Sequence, residues 1–191
     1  MNPITHLLAS WWLGEASSLA SRDRNLITWA GVLPDLDGAG AIVDAALRAL
    51  GRPQASFYLA WHHHLLHGLP GAVLIAGLVT VFSRRRMATF LWSLLAVHVH
   101  LLCDLVGSRG PAAGDLWPIG YLQPFSSQLT LVWSHQWPLD GWPNLAITML
   151  LLALVLTRAI RAGHSPVSLV SSRANGAFAV AVQARWRRIT G

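Results

Sequence analysis

Three long apolar runs dominate the chain: residues 68–83, 87–107 and 143–160. Arg84 to Arg86 separate the first two, and Arg158 and Arg161 close the third. A helix that crosses a bilayer needs about 20 predominantly apolar residues, so these runs predict membrane helices. Residues 4–20 predict a further helix with Pro3 at its start, but Ser10, Glu15, Ser17 and Ser18 dilute its apolar face. It reads as a poor span or a buried helix. Residues 26–33 are too short to span. The LPDLDG stretch, Leu33 to Gly38, then predicts a turn. Residues 41–50 predict a short amphipathic helix closed by Gly51 and Pro53. A Gly/Pro-rich loop follows residue 107, and the tail from 163 reads as partly disordered or weakly helical over 176–189. No useful stretch alternates with period two. The pattern predicts an all-α integral membrane bundle of three to four membrane helices, one domain over 1–162 and a basic tail over 163–191.

Composition sharpens the membrane reading. Only 12% of the 191 residues are charged and 53% are hydrophobic, where a soluble domain carries about 25% charge. The ten tryptophans suit membrane–water interfaces, where the ring is buried and the N–H stays wet. The net charge of +6 does not point to nucleic acid. The arginines fall in knots beside apolar runs rather than along one basic face, so no nucleic-acid partner is expected. A single cysteine, Cys103, allows no internal disulfide. The N-terminus has no basic region before its apolar run, so no cleavable signal peptide is expected.

The arginine knots also orient the chain. The positive-inside rule places Arg84 to Arg86 on the cytoplasmic side. The first run then starts on the opposite side, next to His67, and the second ends there, at His100 and Asp104. Residues far apart in sequence thus meet at one membrane end. His100 and Asp104, one helical turn apart, point the same way. Ionisable groups inside a membrane helix are costly and mark function. A His–carboxylate pair can chelate one metal or bridge two.

WHHHLLHG, residues 61–68, adds four histidines in six positions. On a continuous helix they diverge. His63 or His64 could share a face with His67, and His62 could join only if the helix began after it. The stretch reads as one wall of a site, with His67 and one upstream partner facing in. Asp35 and Asp37, two carboxylates in a turn of an acid-poor chain, supply another wall, although Asp37 could equally cap the helix that follows. A lone histidine such as His6 is more often structural.

Five pieces in order carry a resemblance: Thr5-His6, LPDLD from Leu33 to Asp37, the histidine run ending at His67-Gly68-Leu69, H-x-x-x-D from His100 to Asp104, and GS…WPI with a following PF from Gly107 to Phe125. Over residues 3 to 126 the chain resembles the YdjM-type inner-membrane metal-dependent hydrolases. The family's two histidines, five apart, correspond to His62 and His67. The resemblance implies a ligand set of His6, Asp35, Asp37, His62, His67, His100 and Asp104, with His63 as a further candidate from the histidine run. It is also distantly similar to the zinc-dependent phospholipase C group, which implies phosphoester hydrolysis.

So many ligands exceed the three or four that one zinc takes from protein. Two or more divalent ions are therefore expected, zinc first among them. Asp35 or Asp37 is expected to accept the proton of a metal-activated water. Arg109 and Trp117, in the loop beside the site, are expected to bind substrate, taken to be a lipid or another amphiphilic phosphoester. Membrane lipids are the expected surroundings, and the site is expected on the non-cytoplasmic side of the inner membrane. The rival reading is a membrane metal-binding or transport protein without hydrolytic activity.

Overall fold

The computed structural model describes residues 1–52, 56–62 and 64–191. The chain forms two compact units, Met1–Asn144 and Leu145–Gly191.

The first unit opens with α1 (Pro3–Ala16), whose N-cap Asn2 accepts a hydrogen bond from the Thr5 amide. This helix stops short of residue 20. The Ser17 hydroxyl donates to the Gly14 carbonyl at 2.6 Å, and Ser18 turns into the left-handed region at φ 55°. Helix α2 (Ser21–Ala30) packs on α1. Small residues allow the close approach: a Cβ at Gly14 would meet the Arg24 carbonyl oxygen at 2.8 Å, and one at Gly31 would collide with the Ser10 hydroxyl. The LPDLDG turn is a 3-10 helix, Leu33–Ala39, and it leads into α3 (Gly40–Ala49) and the short α4 (Phe57–Trp61).

Helices α5 (Leu69–Val81) and α6 (Arg86–Gly107) pack against each other across the arginine turn. Asp23, fully buried on α2, accepts hydrogen bonds from the Arg84 and Arg85 amides at 2.9 and 3.0 Å. It satisfies donors at the start of α6 that have no partner within the helix and ties the turn to α2. Ala30, Ala72, Ile75, Val79, Val97 and Leu101 form the core with Ile119. Leu74, Leu78, Leu91 and Leu102 point outward. Such outward apolar faces are what lipid tails solvate.

The loop after α6 contains a two-residue antiparallel ladder, β1 (Ile119–Gly120) with β2 (Thr130–Leu131). It is knotted by buried Asn144, whose amide donates to the carbonyls of Gly107, Pro138 and Leu139 while its oxygen accepts from the Trp137 indole. The second unit holds α7, which starts at Trp142 and ends at Ala162, and α8 (Ser172–Thr190). The tail expected to be weakly helical is thus a 19-residue helix. Ser171 caps it by accepting from the Ala174 amide at 3.2 Å, and no proline follows Pro166 to interrupt it.

Among the described residues two helices, α6 and α7, are long and apolar enough to cross a membrane; a third span results if α2 and the Leu33–Ala49 stretch, bent by 41°, count as one. Helix α5, with 13 residues, reaches about 20 Å and falls short of the hydrocarbon thickness on its own. The fold is mainly helical, as the sequence pattern predicts, with His/Asp groups at one end of the α5–α6 pair.

Candidate metal centre

The histidine stretch is not helical where it matters. Helix α4 ends at Trp61, and α5 begins at Leu69 with Pro70 in its first turn. The described residues between them are irregular, so helical spacing does not decide which histidines converge. His62 and His67 both face the 3-10 turn. The Asp37 carboxylate, buried there, accepts from His62 Nδ1 through one oxygen and from His67 Nδ1 through the other, each at 2.8 Å. It also accepts from the Leu66 amide at 3.2 Å. His64 is exposed, and His63 lies outside the described residues.

On α6, His100 Nδ1 donates to the Gly31 carbonyl at 2.8 Å. This contact depends on the close approach that Gly31 permits. With Nδ1 of His67 and His100 both engaged as donors, their Nε2 atoms are left with lone pairs. Those two atoms face each other at 3.1 Å. Asp104 Oδ2 lies 3.3 Å from the first and 3.1 Å from the second. Asp35 Oδ1 lies 3.8 Å from His100 Nε2, and its other oxygen is buried without a partner. Lone pairs and carboxylates pressed together repel unless a proton or a metal cation sits among them, and the two compete for the same place. A tetrahedron with bonds of about 2.0–2.2 Å has edges of about 3.3–3.6 Å; these separations bracket that range. The donor set therefore fits a metal ion.

Among the described residues three overlapping groups could hold one: Asp35, His67 and His100; His6, His100 and Asp104; and Asp37, His62 and His67. His6 stacks on His100 with ring centroids 3.8 Å apart, and its Nε2 lies 3.2 Å from Asp104 Oδ1. The Met1 amino group also contacts that oxygen and Ser108 Oγ. Asp104 thus gathers positive or proton-bearing groups on both oxygens. Burial opposes a charged ring at His67, but the hydrogen-bonding carboxylates of Asp104 and Asp37 outweigh it and push its pKa up to about 9.

A family model described as YdjM inner membrane protein matches residues 1–184. The chain belongs to the YdjM family. No curated protein and no solved structure matches it. The YdjM match covers both the His/Asp cluster and the two helices long enough to span, so an inner-membrane protein with a possible metal site is the coarse description of this YdjM chain.

Beside the cluster lies a cavity of about 450 Å³, lined by Asp35, Tyr58, His62, Asp104, Arg109 and Trp117 among others. Arg109 Nε is buried without a partner. Trp117 sits edge-on to the His62 ring at 5.4 Å, and buried Gln136 holds its backbone with two hydrogen bonds of 2.9 Å. The structure thus brings His6, Asp35, Asp37, His62, His67, His100 and Asp104 together, with Arg109 and Trp117 on the adjoining cavity. His98 is engaged elsewhere, with the Leu94 carbonyl and the Tyr121 hydroxyl.

Three residues here escaped sequence reasoning. Tyr58 packs on His62 with centroids 4.7 Å apart, and its phenol is raised above the usual value by burial and by the carboxylates of Asp37, Asp104 and Asp35. Asp44 accepts from the Phe57 and Tyr58 amides at 2.7 and 3.0 Å, so it caps α4 and aims Tyr58 and His62. Gly31 positions His100. Scarcity of acids was the one available signal for Asp44; nothing in sequence marked Tyr58 or Gly31.

Proposed function

We propose that this protein is a membrane-bound metal-dependent hydrolase acting on a phosphoester carried by a lipid or another amphiphile. The observation that carries the reading is the convergence of His67 Nε2, His100 Nε2, Asp104 and Asp35 beside a cavity that also presents an arginine. Divalent ions held there, zinc first among the expected metals, would lower the pKa of a bound water and polarise the phosphoryl oxygen it attacks. Asp35 lies on the cavity near His100 and keeps one oxygen without a partner, whereas Asp104 is engaged through both of its oxygens, so Asp35 is the residue to accept the water's proton. Asp37 spends both oxygens on imidazole N–H groups and acts as a positioning residue. Arg109 would bind a non-bridging phosphate oxygen, since its Nε has no other partner. Tyr58 keeps its proton at neutral pH and can donate to substrate oxygen. Trp117 gives the cavity an apolar wall suited to an amphiphile. The site is proposed to face the non-cytoplasmic side, opposite the arginine turn.

The test is metal content by elemental analysis of detergent-purified protein, with hydrolysis of bis-p-nitrophenyl phosphate, p-nitrophenyl phosphate and a phospholipid. The expected result is bound divalent metal, chelator-sensitive cleavage and restoration on metal return, with both metal and turnover lost in His100→Ala. Protein that neither carries nor takes up divalent metal would overturn the reading. Bound metal with no hydrolysis but with metal flux in vesicles would transfer it to transport.

A further inference from the structure

The second compact unit carries the whole net charge of the protein. All eight acidic residues lie within residues 1–144, matched there by eight arginines; residues 145–191 hold six arginines and no acid. Within this unit the Gln183 amide on α8 donates to the Ala159 and Ile160 carbonyls at 3.4 and 3.0 Å. These belong to the last turn of α7, whose carbonyls have no partner within the helix. Asn175 adds a bond from its amide to the Gly163 carbonyl at 2.9 Å and accepts from the Ser165 amide and hydroxyl. The two helices are thus joined at residues 159–165. Alongside that joint a groove of about 620 Å³ opens between them. Leu156, Ile160 and Val182 give it an aliphatic lining, and Arg161, Arg185 and Trp186 complete it.

We propose that this groove binds one anionic phospholipid of the leaflet that the arginine end of α7 meets. The headgroup phosphate would contact Arg161 and Arg185, and an acyl chain would lie on Leu156, Ile160 and Val182. Three features select this occupant. The unit has no acidic side chain to neutralise its arginines, so the ligand is an anion. The aliphatic lining wastes its area on a free anion or a polynucleotide but suits a hydrocarbon chain. Helix α7 is a candidate span, and Trp186 beside the arginines is the residue type that sits at headgroup level. Among the described residues that line the groove none is a histidine or an acid, so it is proposed to hold a lipid without cleaving it.

The full chain in zwitterionic nanodiscs, titrated with phosphatidylglycerol and read by native mass spectrometry, tests this. The expected result is retention of one phosphatidylglycerol in preference to phosphatidylcholine. Arg161→Gln with Arg185→Gln should weaken it by about tenfold or more, as expected for two arginines lost from an anionic surface. Arg173→Gln, on α8 but away from the groove, should leave it within about twofold, since surface charge alone is screened within a Debye length. Circular dichroism confirms that each variant is folded. Equal retention of the two lipids, equal loss in Arg173→Gln, or displacement by millimolar inorganic phosphate would each overturn the proposal.

Discussion

Asp37 is the clearest case of a residue whose chemistry depends on what already occupies its oxygens. Each oxygen takes the Nδ1 proton of a different histidine, which fixes both tautomers and turns Nε2 of His67 toward Asp104 and His100. An asparagine of the same shape has only one acceptor oxygen, and its amide group would oppose the second N–H. Asp37→Asn should therefore lower metal affinity by about 10–100-fold while the helical circular dichroism is retained. Unchanged affinity would show that the imidazoles need no such support. His67 makes a second prediction. Its pKa is raised to about 9 from 6.5, so without metal its paired proton stabilises the fold fully below 6.5, and that contribution is lost as pH rises through about 9. A metal at Nε2 displaces the same proton, so the two compete. Metal affinity should climb with pH between 6.5 and 9, and binding at pH 7.5 should release protons. Calorimetry in two buffers of different ionisation enthalpy reads this directly; identical heats would refute it.

At the scale of elements, the site rests on short pieces held by distant caps. Asp44 stands on α3 and caps α4 across 13 residues of chain, so it sets where Tyr58 and His62 point. Asp44→Ala should lower the melting temperature, as the loss of a cap does, and should weaken metal binding. Asp44→Asn, which still accepts a hydrogen bond, should recover part of both. A thermal melt followed by a metal titration separates the two effects, and full metal affinity in Asp44→Ala would remove its positioning role. The same contrast explains what was legible in the sequence. The apolar runs, the arginine turn and the His100–Asp104 pair follow from local period and spacing, because α6 is one continuous helix. The histidine stretch did not yield to helical spacing, because the chain leaves the helix at Trp61 and re-enters it only at Leu69. Which histidine partners His67 is settled by Asp37, 30 residues away, a tertiary pairing that no local pattern encodes. Asn144 and Asp23 escaped for the same reason: their partners lie 37 and 61 residues away.

For the first unit as a whole, the distribution of polar groups sets its orientation in the membrane. Arg84 to Arg86 sit at one end of the α5–α6 pair, and His67, His100 and Asp104 at the other. The rise from Arg86 to Asp104 along α6 is about 27 Å, close to the hydrocarbon thickness of about 30 Å. As a span, α6 would put the two ends at opposite membrane faces. At the arginine end Asp23 is spent on backbone amides and Glu15 pairs with Arg24, so the charge of Arg84 to Arg86 is left for the positive-inside rule to act on. The exposed loop at Ser127 follows α6 at the end opposite the arginine turn. In a Cys103→Ser background, a cysteine at Ser127 should react with an impermeant maleimide once the outer envelope is opened. A cysteine at Ser83 should react only after the inner membrane is permeabilised. The reverse pattern would put the metal groups on the cytoplasmic side, and with them any substrate that the site receives.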